Sequence, residues 1–222
     1  MSTPELPSLR QQLHSRVWIF DLDDTLHDAS AQIFPQLNRA MTQYIMDKLK
    51  LEEPQAFRLR QHYWRVHGAT LKGLMRHHGA DPHHFLSKTH ELLELPQMVI
   101  KKKRLRHFLQ RLPGRKVIFT NAPMSYARRV LDLLGIQHLF EVVFSVESTR
   151  FHPKPGIRGF RHVLSRLGVD PGNCVMVEDN AAALRTAKRM GMKTVYISNK
   201  LNRPSYVDCR IANVLALTHI IV

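Results

Sequence analysis

From Arg111 onward the chain alternates short apolar runs with amphipathic stretches, and this alternation constrains the fold more than any other feature. Lys116-Val-Ile-Phe-Thr120, Glu141-Val-Val-Phe-Ser145, Cys174-Val-Met-Val-Glu178 and Thr194-Val-Tyr-Ile197 read as strands. The stretches Ser125–Leu134, Ile157–Leu167 and Ala181–Met190 read as helices, with Gly135, Gly168 and Gly191 placed to end them. Strands that are apolar along nearly their whole length are buried on both faces. They therefore call for a parallel sheet with helices on each side, an α/β, doubly wound arrangement.

The run Val17-Trp-Ile-Phe20 has the same character but lies far upstream of the others. Between Ala31 and Arg111 no segment reads as a strand. Helical periodicity prevails there, broken by Pro35, Pro54, Pro82 and Pro96, with Pro54 and Pro82 suited to helix starts. The economical reading joins Val17–Phe20 to the later sheet and treats the helical stretch as an excursion. The expected domains are a catalytic core of residues 1–27 and 104–222 and a helical cap of residues 28–103.

A chain of 222 residues that is 44% hydrophobic can bury one sizeable core and a smaller lobe. Its two cysteines, Cys174 and Cys209, are too few for a disulfide framework. Cys174 sits in an apolar run and reads as a core residue. The first residues lack the apolar centre of an export leader, and no segment approaches the roughly 18 apolar residues of a membrane span. A soluble, cytoplasmic protein without a membrane partner is expected.

The formal net charge is +15, from 33 Lys plus Arg against 18 Asp plus Glu. Such a surplus attracts anions, whether phosphorylated metabolites, nucleic acid or acidic lipid. The run Lys101–Arg104 leads into Leu105-Arg-His-Phe-Leu109 and reads as a solvated helix face. A non-catalytic basic module that binds nucleic acid or a partner is the alternative of a different class. The chain shows no interleaving of aromatic and basic residues to favour it.

The chemistry concentrates at the strand ends, where open parallel sheets bind their ligands. The first strand runs into Asp21-Leu-Asp23-Asp24-Thr25, three carboxylates within four positions. Crowded like charges raise one another's pKa unless a cation or hydrogen-bond donors compensate. Thr120-Asn121 follows the second strand, His152-Pro-Lys154-Pro-Gly156 the third, and Glu178-Asp179-Asn180 the fourth. Carboxylates, a hydroxyl and an ammonium form a coherent set for phosphoryl transfer.

In this order the residues Asp21-x-Asp23-x-Thr25, Thr120, Lys154 and Glu178-Asp179 resemble the four motifs of the haloacid dehalogenase superfamily of phosphatases and phosphotransferases. The resemblance implies a Rossmann-like core with an inserted all-helical cap. It implies Asp21 as nucleophile, forming an aspartyl-phosphate, and Asp23 as the proton shuttle. Thr120, the Asn121 backbone N–H and Lys154 would bind the substrate phosphate. Mg2+ would be held by Asp21, the Asp23 carbonyl and Asp179, with Glu178 a ligand or an outer-shell partner. Asp24 and Thr25 would organise the loop. Dehalogenases of this superfamily lack the second aspartate, so Asp23 speaks for phosphoryl chemistry.

The segment His67-Gly-Ala-Thr-Leu-Lys-Gly-Leu74 looks like a G-x-T-L-x-G-L segment in the cap of the pyrimidine 5′-nucleotidase branch, with Ala69 where a hydroxyl-bearing residue is expected. The same glycines also suit a close-packed helical turn. The expected substrate is a small phosphorylated metabolite, a pyrimidine nucleoside 5′-monophosphate before others. Sugar-phosphate phosphatase and phosphomutase remain open alternatives. Sequence assigns no oligomeric state. The many histidines of this region, among them His67, His77, His78 and His90, are expected to face solvent or close the cap and to gain charge on mild acidification.

Overall fold

The structure, a computed structural model, describes residues 15–200 and 202–219, so the reading of a missing leader lies outside the described residues. Its first strand, β1 (Val17–Phe20), is followed by five helices: α1 (Ile33–Leu49), α2 (Glu53–His67), α3 (Thr70–His78), α4 (Pro82–His90) and the single turn α5 (Leu95–Met98). Then come α6 (Leu105–Arg111), β2 (Arg115–Phe119), α7 (Met124–Leu134), β3 (Val142–Phe144), α8 (Ile157–Leu167), β4 (Cys174–Glu178), α9 (Ala181–Arg189), β5 (Lys193–Ile197) and β6 (Cys209–Ile211).

The six strands form one parallel sheet in the order β3-β2-β1-β4-β5-β6. This is the doubly wound order. The chain winds outward from β1 to β3, then returns to place β4 on the other side of β1, so the switch point lies at the carboxyl ends of β1 and β4. Alternate side chains of β1 serve opposite layers. Trp18 and Phe20 pack with Leu105 and Phe108 of α6 and Tyr126 and Val130 of α7. Val17 and Ile19 pack with Phe160 and Val163 of α8 and Leu184 and Ala187 of α9. Cys174 lies wholly inside that second layer.

Two sequence expectations need adjustment. β6 went unread because Cys-Arg-Ile offers only one fully buried residue, Ile211, and takes its place by pairing with β5. The basic run Lys101–Arg104 is not on a helix; it forms the loop and turn that lead into α6, whose buried face begins at Leu105.

Helices α1 to α4 build a second core from Tyr44, Ile45, Ala56, Tyr63, Leu74 and Phe85, joined by Val146 and Phe151 from the loop after β3. Pro54 and Pro82 sit in the first turns of α2 and α4, where a missing N–H costs nothing. A capping box between Glu52 and Gln55 starts α2, and the Asp81 carboxylate accepts from the His83 N–H at 3.0 Å to start α4. Among the described residues no helix is long and apolar enough to cross a membrane.

Packing accounts for the two glycines of the Gly68–Leu74 segment. Gly68 closes α2 at φ +79°, and a Cβ there would lie 2.9 Å from Pro155 Cδ, so only glycine lets the α2–α3 turn rest on the Lys154–Pro155 loop. A Cβ on Gly73 would fall 2.2 Å from Tyr63 Cγ, which fixes how closely α3 approaches α2. Gly73→Ala should therefore cost about 1–3 kcal/mol through overpacking. A melting temperature equal to that of the parent chain would contradict this account of the segment.

Candidate active site

The sheet order brings the predicted residues together. Asp21 follows β1, with its N–H on the Val177 carbonyl of β4 at 3.0 Å, which sets it beside Glu178. Thr120 follows β2, held by an N–H bond to the Phe144 carbonyl of β3 at 2.9 Å. Lys154 arrives from the loop before α8. Its Nζ donates to Asp21 Oδ1 at 2.6 Å and to Glu178 Oε2 at 2.5 Å. Asn121 fixes this loop from below: its Oδ1 accepts from the Lys154 N–H at 2.8 Å, and its Nδ2 donates to the Lys154 carbonyl at 3.0 Å. Thr186 of α9 adds a bond to the Pro155 carbonyl at 2.8 Å.

Glu178 faces two ways. Oε2 takes the ammonium, while Oε1 accepts the Asp179 and Asn180 N–H groups at 3.2 and 3.0 Å. The same turn carries Asn180, whose Oδ1 caps α9 through Ala182 and Ala183. Thr120 Oγ1 accepts from the Ala122 N–H at 3.0 Å, which orients the hydroxyl and leaves its proton available to donate.

Asp21, Lys154 and Glu178 are 6%, 4% and 2% exposed, so their charges interact in a poorly solvated setting. Burial and Glu178 push Asp21 up to about 7 against the opposing pull of Lys154. Burial also drives Glu178 up to about 7, with Lys154 opposing and Asp179 adding to the rise. Asp179 is raised to about 6 by burial and by Asp21. Burial works against the Lys154 charge, yet its two carboxylate partners outweigh that and hold it above the ordinary lysine value. One ammonium thus serves three carboxylates. Ligand oxygens of Asp21, Glu178 and Asp179 lie within 4.8 Å of one another, an all-oxygen donor set that fits a hard divalent cation.

Asp23 has partners that sequence reading missed. Its Oδ1 accepts from the Tyr126 hydroxyl at 2.7 Å and pairs with His27 Nε2 at 2.9 Å. His27 is fully buried and its Nδ1 has no partner, so the tautomer carrying its proton on Nε2 satisfies more of the site. The i to i+4 spacing of Asp23 and His27 was the signal available. Tyr126 gave none, because the contact spans 103 positions.

Asp24 organises the loop as expected. At φ 58° its Oδ1 accepts from the Ala29 and Ser30 N–H groups, and its other oxygen takes the Ser30 hydroxyl. Thr25 does not: the residue is fully buried and its Oγ1 has no hydrogen-bond partner, so it holds no loop backbone group.

Asp21, Asp23, Thr120, Asn121, Lys154, Glu178 and Asp179 line a cavity of about 510 Å3 that α1, α2, α3 and α4 enclose from the far side. A roomier surface groove of about 870 Å3 runs between α7 and β3 and contains none of them. The cavity also holds His90, which burial drives down to about 4 despite Asp23. His67, near Lys72, Arg76 and His77, is likewise lowered, by burial first. His90 therefore resists the charge gain expected on mild acidification.

Known proteins are similar to this chain in family and in fold. The family model for haloacid dehalogenase-like hydrolases matches residues 16–201. Phosphate metabolism protein 8 of Saccharomyces cerevisiae is 25% identical over 191 residues, which are 80% of this chain and 60% of the yeast protein. Fructose-1-phosphate phosphatase YqaB of Escherichia coli is 32% identical over 76 residues, 34% of this chain and 40% of that one. The aligned part thus spans less than two thirds of these relatives. A crystal structure of an HAD phosphatase from Thermococcus onnurineus shares the fold with a TM-score of 0.65 at 23% identity, covering 92% of this chain and 96% of that one.

Lys154→Met should destabilise the metal-free protein by about 3–5 kcal/mol near pH 8, because it leaves two buried carboxylates uncompensated. An acid whose folded pKa lies above its unfolded value weakens the fold progressively as pH rises between the two, here from about 4 to about 7 for Asp21 and Glu178. Without Lys154 those pKa values rise further, so in denaturant titrations with chelator present the deficit should grow as pH rises past about 7, where the parent ionises both acids and the variant resists ionising them. A deficit that stays constant would contradict the pairing.

Proposed function

The chain belongs to the haloacid dehalogenase-like hydrolase family, and from that premise we propose that it hydrolyses small phosphate monoesters through an aspartyl-phosphate on Asp21. The observation that carries this reading is Lys154 Nζ held 2.6 Å from Asp21 Oδ1 at the base of a cavity. An ammonium in that position both lowers the cost of an ionised nucleophile and meets the incoming phosphoryl oxygens.

The Thr120 hydroxyl and Lys154 hold the phosphoryl group. Asp21 attacks phosphorus as the bond to the leaving oxygen breaks, and Asp23 gives that oxygen its proton. Asp23 Oδ1 is occupied by Tyr126 and His27, so Oδ2 is the oxygen that moves the proton. Asp23 then takes a proton from water as that water attacks the aspartyl-phosphate, releasing phosphate and restoring Asp21.

Mg2+ would sit on Asp21, the Asp23 carbonyl and Asp179, where it would neutralise phosphoryl charge. Glu178, whose oxygens already hold Lys154 and two backbone N–H groups, is the outer-shell partner. Residues 28–103 act as the cap over residues 1–27 and 104–222, moving about hinges after Leu26 and before the basic run to exclude water.

The finer reading is a pyrimidine nucleoside 5′-monophosphate. It rests on the resemblance of the Gly68–Leu74 segment and on Trp64, which is 60% exposed and lines the cavity where a base could stack. The similarity to a fructose-1-phosphate phosphatase favours sugar phosphates as the second reading.

Phosphate release should be measured for nucleotides and sugar phosphates with Mg2+ and with chelator. Release that needs the metal is expected, with pyrimidine nucleotides foremost; a preference for sugar phosphates selects the second reading. Asp21→Asn should keep the fold and lose at least about 10^3-fold in kcat, and Asp179→Asn should lower both rate and metal response. Tyr126→Phe, which acts by positioning Asp23, should lower kcat by roughly tenfold, part of the roughly 10^2–10^4 that acid–base catalysis supplies. It should also displace the pH–rate profile, whereas an unchanged profile would leave Tyr126 a packing residue.

A further inference from the structure

One charged group in the cavity has no part in the chemistry above. Arg60 lies on α2, facing the cleft, and is half-buried. Its Nε donates to Thr42 Oγ1 at 3.2 Å and its Nη1 to Asn38 Oδ1 at 2.5 Å, both on α1. Its guanidinium rests over the Phe57 ring, 5.2 Å from the centroid. Among the described residues no carboxylate pairs with it. Burial alone lowers its pKa, with no acid to offset the effect.

Its neighbours orient the guanidinium without neutralising it. Thr42 spends its own proton on the Asn38 carbonyl at 2.8 Å, so its oxygen is committed to Arg60. Asn38 presents its oxygen to Arg60 and lines the same cavity. Arg60 and Asn38 bring N–H donors and a positive charge to the cavity lining, beside the Gln61 amide, which can donate as well as accept. Trp64, one helical turn along α2 from Arg60, lines the same space. A guanidinium without a carboxylate partner, flanked by side-chain amides, is complementary to a group of acceptor oxygens with negative charge, that is a carboxylate or a phosphate.

We propose that Arg60, oriented by Asn38 and Thr42, forms a subsite for a second anionic group, so that the preferred substrates are phosphate monoesters whose leaving group itself carries a carboxylate or a phosphate. This rests on the phosphatase reading but not on the choice between nucleotide and sugar. The transferred phosphoryl group lies at Lys154 and Thr120; the second anion lies under α2. Arg60 therefore selects substrate and takes no part in bond breaking.

Matched pairs test it: uridine 5′-monophosphate against uridine 3′,5′-bisphosphate, and glycerol 3-phosphate against 3-phosphoglycerate. The member of each pair that carries the second anionic group should have at least about tenfold higher kcat/KM, mostly through KM, the size expected for a charge-assisted contact. Arg60→Met should bring that ratio close to one, and Arg60→Lys should restore part of it. Calorimetry on the Asp21→Asn protein, which needs no turnover, should show the same ordering of affinities. Binding preference without turnover in the parent chain would remove the phosphatase reading and keep the subsite. Equal kcat/KM within both pairs, or a preference that survives in Arg60→Met, would overturn the subsite.

Discussion

The Lys154 ammonium, placed between Asp21 and Glu178, is the interaction on which the rest of the site depends. Two adjacent parallel strands, β1 and β4, each deliver a carboxylate to the same edge. Without a cation there, the two would be buried, close and of like sign, which drives such groups to take up protons rather than stay ionised. Lys154 reaches them only because its loop is held by Asn121 on one side and Thr186 on the other. The loop therefore belongs to the electrostatics of the sheet edge.

That single charge does not balance the site. Asp21, Glu178 and Asp179 all have raised pKa values even with Lys154 in place. The imbalance is what a divalent cation would remove, and the oxygen-only donors suit magnesium better than a softer metal. Asp23 is kept apart from this cluster by different means. It engages neutral or titratable donors, Tyr126 and His27, rather than the lysine. Two aspartates two residues apart thus occupy distinct environments.

Much of this was legible in sequence because the parallel sheet imposes strong local signals. The apolar runs of β1, β2, β4 and β5 and the glycines after α7 and α8 mark their elements within a residue or two. The polar strand ends follow from where such sheets bind ligands. What sequence did not carry were features set by tertiary pairing. β6 gains its identity from β5, and Tyr126 reaches Asp23 across the fold. The hydroxyl of Thr25, the expected loop organiser, is instead buried without a partner. Gly68 and Gly73 were visible as a motif, but only their contacts with Pro155 and Tyr63 explain why glycine is required. Arg60 was invisible as a site residue, since nothing in α2 alone shows that its partners on α1 are neutral.

The central claim is covalent: the phosphoryl group passes through Asp21. The direct measurement is a rapid acid quench of the parent chain during turnover of a radiolabelled phosphate ester, followed by peptide mapping. Label retained on the peptide that contains Asp21, labile to hydroxylamine as an acyl phosphate is, and absent in Asp21→Asn, is the predicted result. Turnover at full rate with no label on that peptide at any quench time would contradict it.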